Sequence, residues 1–224
     1  MPALKIYYWI VPVTILIFSC ICYSNQDLDE ELLEAIVSGD INLVGQLIEE
    51  GADVNSIFEI QDIKYTPVAI VAAYGNFDMM KYLLRHGAKP EGDIGFPNLA
   101  FYLSITENNT AIASELLTAG VDPNYAWSDE NGGTFLTNAA QFGNIEIVDL
   151  LVRNGADVNY TGNGRYSALY RSIIYDHHTV MMHLLENGAK LNKNDKSALD
   201  SIGFFEGEES KNTLQILIEK DALN

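Results

Sequence analysis

His177, His178 and His183 are the side chains whose clustering first suggests chemistry, because neutral imidazoles are the commonest metal ligands. A structural zinc site would need four ligands in a tetrahedron. His178 and His183 stand five apart, off one helical face, and neither a cysteine nor a paired carboxylate completes the set. No metal and no cofactor are expected. Gly162-Asn163-Gly164 lacks the third glycine and the following helix start of a phosphate cradle, so it reads as a turn. No Gly-x-Ser-x-Gly element, zinc-protease pair or P-loop occurs. With 31 Asp and Glu residues, carboxylate pairs arise by chance, and none stands in a catalytic pattern. An enzyme is not expected.

What remains is recognition chemistry. Residues 56–65, SIFEIQDIKY, carry Ile57, Phe58, Ile60 and Ile63 beside Asp62 and Tyr65, more apolar than a solvated loop requires. Later loops carry Ile94 and Phe96, then Tyr125, Trp127, Asp129 and Glu130, then Tyr160, Arg165 and Tyr166. Tyr, Trp and Arg are over-represented at binding hot spots, since they bury large areas at low conformational cost and keep a polar handle. Asp62, Asp129 and Glu130 would supply a charge-steering rim. These residues form the expected partner-binding surface, with Phe58 and Trp127 leading. Packing of the same rings onto their own loops is the competing reading.

The elements that must hold these loops repeat along the chain. In residues 143–159, GNIEIVDLLVRNGADVN, the apolar positions Ile145, Ile147, Val148, Leu150 and Leu151 recur at helical spacing, and Gly155 supplies the left-handed residue that ends a helix. The pattern returns as GDINLVGQLIEEGADVN, GNFDMMKYLLRHGAKPE and NNTAIASELLTAGVDPN, and more weakly as DHHTVMMHLLENGAKLN and TLQILIEKDALN. Gly51, Gly87, Gly120, Gly155, Gly188 and Asp221 are spaced by 36, 33, 35, 33 and 33 residues. Before each copy lies a shorter segment of small and apolar residues, such as TPVAIVAAYG and TFLTNAAQFG, which lets neighbouring helices approach closely.

With Thr66, Pro67, Ala72 and Gly75 in one copy, and Thr134, Leu136, Ala139, Ala140 and Gly143 in another, the chain resembles an ankyrin-repeat protein. The resemblance implies an all-α fold, a solenoid of about six helix-turn-helix repeats over residues 28–224 with projecting loops. It also implies that binding uses the concave face of first helices and long loops, where Tyr74, Phe142 and Tyr175 share one repeat position. No copy keeps the family's histidine, replaced by Ala69, Thr137 and Tyr170, so packing is expected to take over part of the network between repeats. GFFEGEES from Gly203 interrupts the last pair and reads as a modified C-terminal cap.

Charge narrows the partner. Lys plus Arg is 13 against 31 Asp plus Glu, a formal net charge of -18. No basic stripe exists to displace counterions, so nucleic acid is excluded. Anionic lipid would repel this surface. A protein partner with a basic surface is expected, and self-repulsion favours a monomer before binding.

The first 22 residues are a different material, with Lys5 the single charge and residues 6–22 nearly continuously apolar. They resemble an export signal. Ile17-Phe18-Ser19-Cys20 resembles the bacterial lipoprotein signal, in which a small residue precedes the cysteine that becomes lipidated, although Phe18 fits poorly. Lipidation at Cys20, simple cleavage after Ser24 and an uncleaved membrane anchor all stay open. The domains expected are residues 1–22 as signal or anchor, 23–27 as linker and 28–224 as repeats. Cys20 and Cys22 are the only two cysteines, so no disulfide staples the repeats. Ile21 after Cys20 leans toward the outer membrane, and the membrane is met only through this segment.

Taken together, the expectation is an exported protein-binding module in the periplasm, most concretely an immunity protein that occludes a toxic effector enzyme such as a phospholipase. A periplasmic scaffold or accessory to a stress-response enzyme is the rival. So is a membrane-tethered eukaryotic protein, for which Asn108-Asn109-Thr110 and Asn159-Tyr160-Thr161 would be glycosylation acceptors.

Overall fold

The computed structural model describes residues 28–91, 98–127, 133–201 and 211–219. Residues 1–27, read above as leader and linker with Cys20, the stretch from Gly203 read as a modified cap, and Ile94, Phe96, Asp129 and Glu130 lie outside the described residues. The described chain is mostly helical and divides into two units, one ending at Leu99 and one beginning at Ala100.

The first unit contains α1 (Leu28–Ser38), α2 (Ile41–Glu50), β1 (Phe58–Ile60), β2 (Ile63–Tyr65), α3 (Pro67–Tyr74) and α4 (Phe77–Arg85). Helix α3 starts where Thr66 presents its hydroxyl oxygen to the Ala69 N–H at 3.3 Å, with Pro67 already set to a helical φ at the first position. It stops at Gly75, whose φ of 70° is the left-handed conformation. Every residue from Pro67 to Ala72 is buried, because α3 packs against both α1 and α4. α4 is amphipathic instead, burying Met79, Met80 and Leu83 on one stripe.

The second unit contains α5 (Leu99–Thr106, whose first residue ends the first unit), α6 (Thr110–Thr118), α7 (Phe135–Phe142), α8 (Ile145–Arg153), α9 (Ala168–Ile174), α10 (His178–Glu186), α11 (Lys193–Ser201) and α12 (Lys211–Glu219). α7 packs on α8 and α9, α9 on α10, and α8 on α6 and α10. Phe101 and Phe135 are fully buried with ring centroids 4.1 Å apart.

One element departs from the all-α expectation. β1 and β2 pair antiparallel, Phe58 with Tyr65, Glu59 with Lys64 and Ile60 with Ile63. The β-branched isoleucines favour a pleated strand, and the two residues between strands, Gln61 and Asp62, take φ of 53° and 64°. Two consecutive left-handed residues make the turn whose twist matches a hairpin.

Hydrogen bonds, and not packing alone, link neighbouring copies where the family's histidine is missing. Asn55 donates through Nδ2 to the Gly87 carbonyl at 3.2 Å and accepts at Oδ1 from the Lys89 N–H at 2.8 Å. Asn124 repeats this on Gly155 and Asp157, at 3.0 and 2.8 Å. Asn159 does so on Gly188 and Lys190, at 3.1 and 2.8 Å. In the copy between Asn55 and Asn124, Glu91 stands at the corresponding position.

Candidate functional site

The loops that project between helix pairs are built in different ways. At the base of the β1–β2 finger, Ser56 donates its hydroxyl to the Asp53 carbonyl at 2.5 Å, which turns the chain into β1. Alternation then puts Phe58, Ile60, Ile63 and Tyr65 on one face of the ribbon, with Glu59 and Lys64 on the other. Phe58 is only 9% exposed, and half-buried Tyr65 has its hydroxyl pushed above the ordinary 10.0 by burial. Phe58 thus packs inward at the base of the finger, and the exposed residues are Ile57, Glu59, Gln61, Asp62, Ile63 and Lys64.

In the second unit, the finger that follows Tyr125 is closed by a bridge between Ala126 and Thr134, and the Trp127 N–H donates to the Gly133 carbonyl at 3.3 Å. Trp127 is 7% exposed. Its ring stands edge-on to Tyr102, Tyr125 and Phe135 at 5.6, 5.5 and 5.3 Å, an arrangement that directs the positive ring edge at a negative face. Trp127, expected to lead the interface, is instead the hub of an aromatic cluster under the finger. Half-buried Tyr125 also stacks on Phe135 at 5.6 Å.

The next finger leans on the previous one. Gly162, at φ 61°, packs against Ala126 and Thr134, where a Cβ would collide with the Ala126 methyl group. Tyr160 is 44% exposed and Arg165 is exposed. Tyr166 stacks on Tyr170 at 4.4 Å and is half-buried. Of the helix-end aromatics, Tyr175 is 48% exposed, while Tyr74 and Phe142 are half-buried.

The histidines hold structure. His177 bonds through Nε2 to the Gln141 carbonyl at 2.9 Å, and its ring lies so close over Gly143 that a Cβ there would meet Nδ1 at 2.5 Å. Asn144, one repeat earlier in the same N-cap position, donates to the Ile105 carbonyl. Both side chains thus reach back to a carbonyl at the end of the first helix one repeat earlier, and the Ile105 carbonyl accepts from the Asn108 N–H as well. His183 lies 3.5 Å from Asp149, which Arg153 also holds at 3.0 Å. Among the described residues no group of three potential ligands could hold a metal ion. No helix among them is long and apolar enough to cross a membrane.

Two features escaped the sequence reading. The asparagine ladder is written as Asp-x-Asn at residues 53–55, 122–124 and 157–159, where each Asp oxygen accepts from the Asn N–H at 2.8 to 2.9 Å and orients its amide. Asp195 is fully buried. Its carboxylate accepts from the Ser167 N–H at 3.0 Å and the Asn192 N–H at 2.8 Å, while Asn192 caps α11 in return. Asn-x-x-Asp is a capping-box spacing and could have been found. Burial pushes this carboxyl above its ordinary 3.8, against the lowering effect of the Ser167 hydrogen bonds.

The family model described as ankyrin repeats in three copies matches residues 32–126 and 100–195. The chain is 31% identical over 157 residues to palmitoyltransferase AKR1 of Lachancea kluyveri, a match covering 69% of this chain and 21% of that protein. It is 30% identical over 132 residues to a putative ankyrin repeat-containing protein of Treponema pallidum, covering 58% and 43%. An ankyrin repeat and KH domain-containing protein of Caenorhabditis briggsae, CBG24701, is 32% identical over 172 residues, covering 73% and 6%. The chain spans less than half the length of each of these relatives.

Proposed function

From the premise that this chain belongs to the ankyrin-repeat family, whose repeats are protein-interaction modules, we propose that it is exported and grips one protein partner with a basic surface. Its most concrete role is as an immunity protein that occludes a toxic effector enzyme in the periplasm, with no catalytic activity of its own. The observation that carries this reading is the union in one chain of protein-binding repeats and an apolar leader, residues 1–22, with Lys5 as its only charge. Lipidation at Cys20 tethers the inhibitor where the effector acts, and a net charge of -18 speeds capture of a cationic target. The six-repeat count belongs to the same proposal, with α11 and α12 as the last pair. In the first unit the exposed finger residues Ile57, Asp62 and Ile63 form the contact surface.

The test is capture by the full chain, in mild detergent, of purified products of the neighbouring genes. A single stoichiometric partner whose enzymatic activity falls on binding supports the immunity role. No partner moves the assignment to a constitutive scaffold. Labelled palmitate incorporated by the native chain and not by Cys20→Ala supports the tether, and incorporation by neither removes it.

A further inference from the structure

We propose that the outer half of the β1–β2 hairpin docks a lysine- or arginine-rich segment of a protein partner that carries an aliphatic anchor, a placement that deepens the protein-binding reading and rests on it. The register sets two cross-strand pairs on one ribbon face. The inner pair, Phe58 and Tyr65, is covered, with Phe58 at 9% exposure. In the outer pair Ile60 is half-buried and Ile63 is 45% exposed, so the apolar face runs out past its cover. Ile57 beside the strand is 39% exposed.

Charge selects the occupant. Residues 28–63 hold ten Asp and Glu and no Lys, Arg or His. Glu30, Glu34, Asp40, Glu49, Glu50, Asp53, Glu59 and Asp62 among them are exposed. Lys64, across the ribbon from Glu59, is the one basic side chain of the hairpin and lies on the face opposite the apolar strip. A strip in a predominantly acidic field therefore takes a ligand that supplies both an apolar side chain and positive charge. A second copy of this chain would bring the same acidic repeat against itself, and an anionic bilayer is repelled likewise. The finger around Tyr160 lacks this bias, since exposed Arg165 stands in it, and the finger that begins at Tyr125 is acidic too but has its rings packed away, with Trp127 at 7% exposure.

The test titrates the full chain into two fluorescent peptides of equal charge, one alternating Lys and Leu and one of Lys with Ser, and reads anisotropy. The Lys-Leu peptide should bind at least tenfold tighter than the Lys-Ser peptide. Ile63→Ser, at an exposed site where folding is not at risk, should weaken it at least tenfold, while Tyr160→Ser stays within twofold. Glu59→Gln with Asp62→Asn should flatten its salt dependence. Equal binding of the two peptides, indifference to Ile63→Ser, or an equal loss with Tyr160→Ser overturns the hairpin site. So does a concentration-dependent dimer abolished by Ile63→Ser, or binding of the chain to phosphatidylglycerol vesicles through that residue. Loss of the broader reading shows separately, as failure of the full chain to capture any neighbouring-gene product.

Discussion

The finger of residues 58–65 and the finger that begins at Tyr125 both carry aromatic and apolar side chains, yet they treat them oppositely. In the first, a two-stranded ribbon has one apolar face and too little body beneath it, so Ile63 stays 45% exposed. In the second, four rings interlock and Trp127 is reduced to 7%. The difference teaches that ring content alone does not mark a contact surface. What decides exposure is whether neighbouring elements supply partners for the rings: Phe135 and Tyr102 do so for Trp127 from the helices below.

The contrast breaks most sharply at Trp127. Trp127→Ala should cost about 3–5 kcal/mol of unfolding free energy in urea, the usual range for deleting a buried aromatic ring. Ile63→Ser should cost less than about 0.5 kcal/mol, as exposed substitutions do. If Trp127→Ala were as mild as Ile63→Ser, the second finger would be an open surface like the first.

Asp195 tests the same unit from its buried side. Asp195→Asn sets an amide N–H against a backbone donor and should lower stability by about 1–3 kcal/mol at neutral pH. Its pH dependence has a definite sign. The folded-state carboxyl titrates above the ordinary 3.8, so the fold holds that proton more tightly than the unfolded chain does. Its stabilising contribution is therefore full below that value and is lost as pH rises through the folded one. The stability difference between the native chain and Asp195→Asn should fall with rising pH just above 3.8 and be flat at neutral pH, followed by urea titrations across that window.

A smaller effect is expected at the ladder. Asn124→Ala removes two hydrogen bonds that are exposed and re-formed with water, so about 1 kcal/mol is lost, measured by the same denaturation. The smallest effect is at the hairpin turn. Gln61→Asn with Asp62→Gly suits two left-handed residues and should raise stability by about 0.5 kcal/mol, sharpening the turn while leaving the Ile60 and Ile63 pair in place.

Much of the scaffold was legible because helix caps and periodicity are local. Thr66, Gly75, Thr134 and Gly143 sit where the repeat alignment puts them, and each does its expected work within four residues. The fingers were legible in position and not in orientation. Phe58 and Trp127 were visible as anchors, but whether a ring faces water depends on residues far along the chain, and no periodic pattern reports that. The hairpin was written in its isoleucines, yet a helical repeat drew attention away from period two. Asn55, Asn124 and Asn159 were in view as the last letter of each copy, while their partners lie about one repeat away.

The asparagine ladder has a mechanical consequence. Each rung joins a loop only to the loop of the next repeat, so no rung shares the load of another. A chain drawn out from one end would yield rung by rung, its force trace a series of teeth and not a single rupture. A protein held by such a ladder can give up its outermost repeat under tension and still keep the others folded.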